Sequence, residues 1–287
     1  RSDGLPTYNF AVVVDDAEME ISHVIRGAGH LSNTPHQLLV YQALGGRPPA
    51  FAHAPTVLGA DRSKLRKRTG ARPLRELREE GLHPDAVVNY LSLLGWSSPS
   101  EDEVLSRDRL VDEVTLDRVH AADVVFDPVK MRWLSARHIE AMPLDQLAAA
   151  TRPYVEQSRL SAFLEGDYVQ ALDAVRSHLS TFSEITEHLA PFLGASEPPA
   201  ALSERDVAVL EAVHDALAVT EHWDAPSIQA ALKAGGRAAD ARGRSLYVPV
   251  RQALTGAEHG PPLAAVMAVQ GRDRVLERLR RAAGPAG

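Results

Sequence analysis

The feature that most constrains the fold is a change of period along the chain. Before residue 60, β-prone runs alternate with helical ones. Ile21 to Ile25 reads as a short strand, Arg26-Gly27-Ala28-Gly29-His30 as a glycine-rich turn, Pro35 to Leu44 as a helix with proline in its first turn, and Phe51 to Leu58 as another strand. Ahead of them, residues 7 to 18 have helical spacing despite the β-prone Val12-Val13-Val14. From residue 84 onward only the helical period remains: Pro84 to Gly95, Leu105 to Val119, Val129 to Glu140 with Trp133 expected in the core, Leu144 to Ala150, Tyr154 to Leu160, Val169 to Leu179, Ile185 to Leu193, Glu204 to Leu217, Ser227 to Ala234, Leu246 to Leu254 and Pro262 to Leu279. Loop compositions at 194–200, 222–226 and 256–262 separate the later ones. The pattern predicts an α/β part with ligands beyond the strand carboxyl ends, followed by an all-α bundle with short connections.

A chain of 287 residues, 45% hydrophobic and 24% charged, is long enough for two domains. No apolar run approaches the ~18 to 20 residues that a membrane helix needs, and no signal-peptide pattern opens the chain, so a cytoplasmic location without membrane contact is expected. The absence of cysteine excludes disulfides, thiolate zinc sites and a cysteine nucleophile. The twelve histidines lack HxxxH or HxH spacing, so no metal site and no zinc are expected.

Against a net charge of −7, residues 62 to 78 hold Arg62, Lys64, Arg66, Lys67, Arg68, Arg72, Arg75 and Arg78 with one acid, Glu76. Thr69-Gly70 can turn tightly, and Leu74, Leu77 and Leu82 continue as a short amphipathic helix. Lysine ammonium groups on such a loop suit polyphosphate. On composition alone, a solvated basic turn fits equally well.

Neighbouring segments decide between these readings. PTYNFAVVVDD (6 to 16), ISHVIRGAGHLSNTPHQLLVYQALG (21 to 45), FAHAPTVLG (51 to 59), SKLRKR (63 to 68), NYLSLLGWS (89 to 97) and ALTGAEHGPPLAAVMAVQGRDRVLERL (253 to 279) resemble, in order, signatures of bacterial glutamyl-tRNA synthetase, a class I aminoacyl-tRNA synthetase. The resemblance runs from residue 2 to about residue 280 and implies the C-terminal portion of that enzyme, without its His-Ile-Gly-His half. The fold it implies is the second half of a Rossmann-like catalytic domain (1–60), a stem-contact region with a Lys-Met-Ser-Lys-Ser-like loop (61–143) and an α-helical anticodon-binding domain (144–287). Half a sheet would expose edge strands and an apolar face, leaving residues 1 to 60 weakly stable alone.

The resemblance also implies the chemistry: ATP-dependent ligation of glutamate to tRNA(Glu), with Mg²⁺ accompanying ATP, by a monomer. Partners would be glutamate, ATP, tRNA(Glu) and the other catalytic half if that is a separate polypeptide. Tyr8 and Arg26 would hold glutamate, the guanidinium forking onto its carboxylate. Lys64 and Lys67 would serve the reacting phosphates, with Arg68 beside them on ATP. Arg66, Arg72, Arg176 and His178 would meet tRNA, the last two near the anticodon's final base. Two departures weigh against full activity. Ala28 and Gly29 stand where the family usually has two acids, and Arg66 where it has a serine. Losing such contacts costs about 1 to 3 kcal/mol each. A catalytically degenerate paralogue that keeps tRNA binding is therefore the alternative, and a nonfunctional relic the third reading.

Overall fold

The computed structural model describes residues 2–65, 72–120, 122–194 and 202–284. The chain divides into two compact units, Arg1–Ser135 and Ala136–Gly287. Among the described residues no helix is long and apolar enough to cross a membrane.

In the first unit, α1 (Tyr8–Glu18) leads to β1 (His23–Gly27), a 3-10 segment (Ala28–Asn33), α2 (Thr34–Leu44) and β2 (Ala50–Ala54). β1 and β2 pair in parallel, with Arg26 opposite His53. A parallel pair needs a crossover connection, and the 3-10 segment with α2 supplies it. The first strand thus runs two residues beyond the predicted Ile25, and Gly27 is still in it. The glycine-rich turn is a 3-10 segment that runs directly into α2. Pro55 follows β2, and β3 (Val57–Leu58) then pairs in parallel with β4 (Val124–Val125), so the single strand predicted over 51–58 is two. Proline has no N–H for a ladder, which breaks the run there.

The remaining core of this unit lies on α3 (Leu74–Glu80), α4 (Pro84–Leu93) and α6 (Pro128–Ala141). Leu77, Leu82, Ala86, Val87, Tyr90, Met131 and Leu134 pack together. His83 caps α4, its Nδ1 accepting from the Asp85 N–H at 3.2 Å. Trp133, expected in the core, is 42% exposed, because Met131 and Leu134 define the buried face of α6. α5 covers only Arg107–Glu113 of the stretch predicted helical to Val119. Val114 is extended, in keeping with the β-branched Val114-Thr115 pair, and only a 3-10 turn (Leu116–Arg118) follows. Among the described residues before 60, Val13 and Tyr41 are the buried apolar side chains.

The second unit is helical: α7 (Leu144–Glu156), α8 (Tyr168–Val175), α9 (Ile185–Leu193), α10 (Glu204–Ala218), α11 (Ala225–Ala238), α12 (Arg244–Thr255), α13 (Leu263–Gln270) and α14 (Arg272–Ala283). α7 continues through Pro153, where two helices were predicted; the proline falls in its last turns, where little ladder remains to lose. Ser203 and Asp206 close a capping box at the start of α10. α13, LAAVMAVQ, is apolar all round and is accordingly central. Its Leu263, Ala264 and Met267 join the core of α10 to α14, and its Val266 joins that of α7 to α9. Gly235 lets α10 and α11 meet closely: a Cβ there would stand 2.6 Å from the Val213 Cα.

On α14, Arg272, Arg274 and Arg278 donate to carbonyls that end other helices, while Arg281 pairs with Glu277. Arg272 donates to the Ala218 carbonyl at 2.6 Å, and Arg278 to Leu254 at 2.8 Å and Leu193 at 3.2 Å. Those carbonyls end α10, α12 and α9, where helices leave acceptors unpaired and favour cations.

Candidate active site

The carboxyl end of β1 gathers the residues that could carry chemistry. Arg26 is next to last in the strand, the 3-10 segment brings His30 back towards it, α2 opens at Thr34, and the register sets His53 across from it. Arg26 Nη2 donates to Thr34 Oγ1 at 2.8 Å and reaches the His30 carbonyl at 3.5 Å. Its Nε lies 3.5 Å from His53 Nε2, which is 3.1 Å from Thr34 Oγ1. The guanidinium sits 5.3 Å from the centre of the Phe51 ring, on which the His53 ring stacks. Tyr8, at the start of α1, is 54% exposed with its ring 6.1 Å from that of His30.

Lys64 joins this cluster from the other direction. Asp61 accepts from the Ser63 N–H at 3.0 Å and hydroxyl at 2.9 Å, closing a turn; these bonds hold its carboxyl below the usual carboxylate range. Lys64 then bridges Leu58. A Cβ on Gly29 would stand 3.8 Å from Lys64 Nζ, in ordinary van der Waals contact, which sets the ammonium beside the 3-10 segment that follows β1. No carboxylate pairs with Arg26 or Lys64 among the described residues. A guanidinium and an ammonium near one strand end, with no carboxylate paired to them among the described residues, suit a carboxylate and a phosphate. No group of three histidines or acids that could hold a metal occurs among the described residues.

Of the residues singled out by sequence, Tyr8 and Arg26 thus both lie against His30, and Lys64 lies beside Gly29 of the same 3-10 segment. Arg66, Lys67 and Arg68 lie outside the described residues. Arg72 is engaged on α3, 2.5 Å from Glu80 and 3.7 Å from Glu76. In the second unit, Arg176 and His178 fall in a 3-10 turn after α8, not in the helix predicted through Leu179. Arg176 donates to the Glu140 and Met142 carbonyls, each at 2.6 Å, so it closes the end of α6. His178 is exposed, 5.9 Å ring to ring from His188, whose imidazole burial holds below its ordinary pKa. Sequence reasoning missed Thr34, Phe51 and His53. The i, i+2 spacing of Phe51 and His53 was available, but their meeting with Arg26 depends on register.

Comparison with known proteins agrees with this architecture. The family described as "tRNA synthetases class I (E and Q), catalytic domain" matches residues 1–133, and "Anticodon binding domain" matches residues 146–283. The chain is 40% identical to a glutamate–tRNA ligase of Heliobacterium modesticaldum, covering all of this chain and 60% of the relative. It is 36% identical to glutamate–tRNA ligase 1 of Fervidobacterium nodosum, covering 97% of this chain and 59% of that one. A crystal structure of a glutamate tRNA ligase from Elizabethkingia meningosepticum, in complex with its amino acid, superimposes with a TM-score of 0.87 at 25% identity, over 99% of this chain and 61% of that one. The chain therefore spans about 60% of the length of these relatives. With a catalytic-domain segment of the class I tRNA synthetases and a helical anticodon-binding segment in the same order as its relatives, the chain belongs to the glutamate–tRNA ligase family.

Proposed function

We propose that this chain supplies the glutamate pocket, phosphate loop and tRNA-binding regions of a cytoplasmic enzyme that ligates glutamate to tRNA(Glu) with ATP. The observation that carries the reading is the unneutralised pair of cations, Arg26 and Lys64, at one strand end. Arg26 takes the glutamate side-chain carboxylate beside Tyr8. Lys64, with Lys67 and Arg68, balances the charge on ATP phosphates, and Mg²⁺ arrives on those phosphates. The proposed organisation is a substrate region (1–60), a stem-contact region (61–143) and an anticodon-binding region (144–287), with Arg66, Arg72, Arg176 and His178 towards tRNA. Arg72 and Arg176 would have to exchange their present partners for phosphate, a cost that favours His178 as the freer contact. The remaining catalytic half would be the partner of the exposed apolar side chains of residues 1 to 60.

Glutamate-dependent ATP–pyrophosphate exchange tests this reading, with the chain alone and mixed with the N-terminal two-fifths of a relative. Exchange that appears only in the mixture and is lost in Arg26→Ala supports it. Exchange unaffected by Arg26→Ala counts against it.

A second reading, a tRNA-binding module without adenylation, draws on the self-contained core of residues 136–287 and on Ala28 and Gly29. Binding to tRNA(Glu) over an unrelated tRNA, weakening steeply with salt and accompanied by no exchange in any mixture, would favour it.

A further inference from the structure

We infer that Thr34 and His53 are positioning residues that decide which edge of the Arg26 guanidinium meets a carboxylate. The inference rests on the glutamate-pocket reading above and adds a direction of approach.

A guanidinium only donates hydrogen bonds. Thr34 Oγ1, 2.8 Å from Arg26 Nη2, must therefore be the acceptor in that contact. Arg26 Nε, which likewise can only donate, lies 3.5 Å from His53 Nε2 and makes that ring nitrogen the acceptor. The Thr34 hydroxyl, 3.1 Å from the same nitrogen, then donates towards it, and the ring proton belongs on Nδ1. Together the hydroxyl and the ring nitrogen occupy the side of the guanidinium formed by Nε and Nη2, the side a carboxylate would otherwise grip with two parallel bonds. Phe51 covers one face. Nη1 makes no hydrogen bond among the described residues, in contrast to Nε and Nη2. The edge presented to a ligand is the end-on one, formed by Nη1 and the second proton of Nη2. Among the described residues Nη2 also reaches the His30 carbonyl, at the 3.5 Å limit of a hydrogen bond.

The test uses the full chain and two readings. Arginine labelled with ¹⁵N reports the Arg26 Nε–H directly. A slowly exchanging signal is expected in the unaltered protein and in Thr34→Ser, and its loss in Thr34→Val and His53→Phe. L-Glutamate titration supplies the second reading: Thr34→Val should weaken binding about tenfold, as loss of a charge-assisted bond does, Thr34→Ser should restore it, and Arg26→Ala should abolish it. Thr34→Val binding L-glutamate as tightly as the unaltered chain, or more tightly, would overturn the edge assignment, because it would free the side-on edge for the ligand. A rapidly exchanging Nε–H in the unaltered protein would overturn the anchor itself. Arg26→Ala binding L-glutamate normally, with the Nε–H pattern as expected, would sink the pocket reading and leave the anchor standing.

Discussion

Residues 1 to 60 and the helical second unit have comparable apolar content to bury, and they dispose of it differently. Leu39 is 63% exposed and Met19 71%, and Leu5, Phe10, Ile25, Leu31, Leu38 and Leu44 are exposed with them. In the second unit Leu210, Val213, Leu217, Ile228, Leu232 and Val250 are fully buried in one cluster, and Leu147, Val155, Leu172, Ile185 and Leu189 in another. Two parallel strands and two helices cannot cover both faces of a sheet, whereas helices packed around the apolar α13 cover one another. The Arg26 cluster is therefore built on the part of the molecule with the least core, and the region with anticodon-binding similarity is the part with the most.

The largest effect that would sharpen this contrast comes from truncating matched leucines. Leu232→Ala should cost about 2 to 5 kcal/mol of stability in the second unit, and Leu39→Ala no more than about 0.5 kcal/mol, by denaturant unfolding followed with probes in each unit. Equal costs would break the comparison. Next is Gly235→Ala, which puts a methyl against the α10 backbone and should destabilise by about 1 to 3 kcal/mol even though alanine is the better helix former. A gain in stability would mean that α10 and α11 are not in close contact.

The smallest effect is electrostatic. Burial, the largest cause, holds the His188 imidazole below its ordinary pKa in the folded unit, with His178 acting the same way and Glu184 and Glu187 opposing. A base whose folded pKa is depressed binds its proton more readily once unfolded. Stability is therefore lost as pH falls below the ordinary value of about 6.5 towards the lower folded value. His188→Gln should flatten the pH dependence of unfolding in that window, and an unchanged slope would assign it to other groups.

Much of this arrangement could be read from periodicity. The helices of the second unit follow from apolar spacing and caps such as Ser203, because each is a local decision. What escaped was set by partners far away in sequence. Trp133 has the composition of a core residue, but Met131 and Leu134 claim the inner face of its helix. Arg272 and Arg278 look like surface charge until the carbonyl ends of α9, α10 and α12 are brought beside them. In the site, Arg26 and Lys64 were singled out from motif resemblance. Thr34 and His53 were not, because nothing local says that a threonine opening one helix and a histidine in the second strand will meet one guanidinium.

Native-state hydrogen exchange on the intact chain measures the contrast most directly. Amides of α10 to α14 should exchange only through global unfolding of their unit, and those of α1, β1, α2 and β2 orders of magnitude faster. Matching protection in the two regions would contradict the account, since it would mean that residues 1 to 60 bury a core of their own.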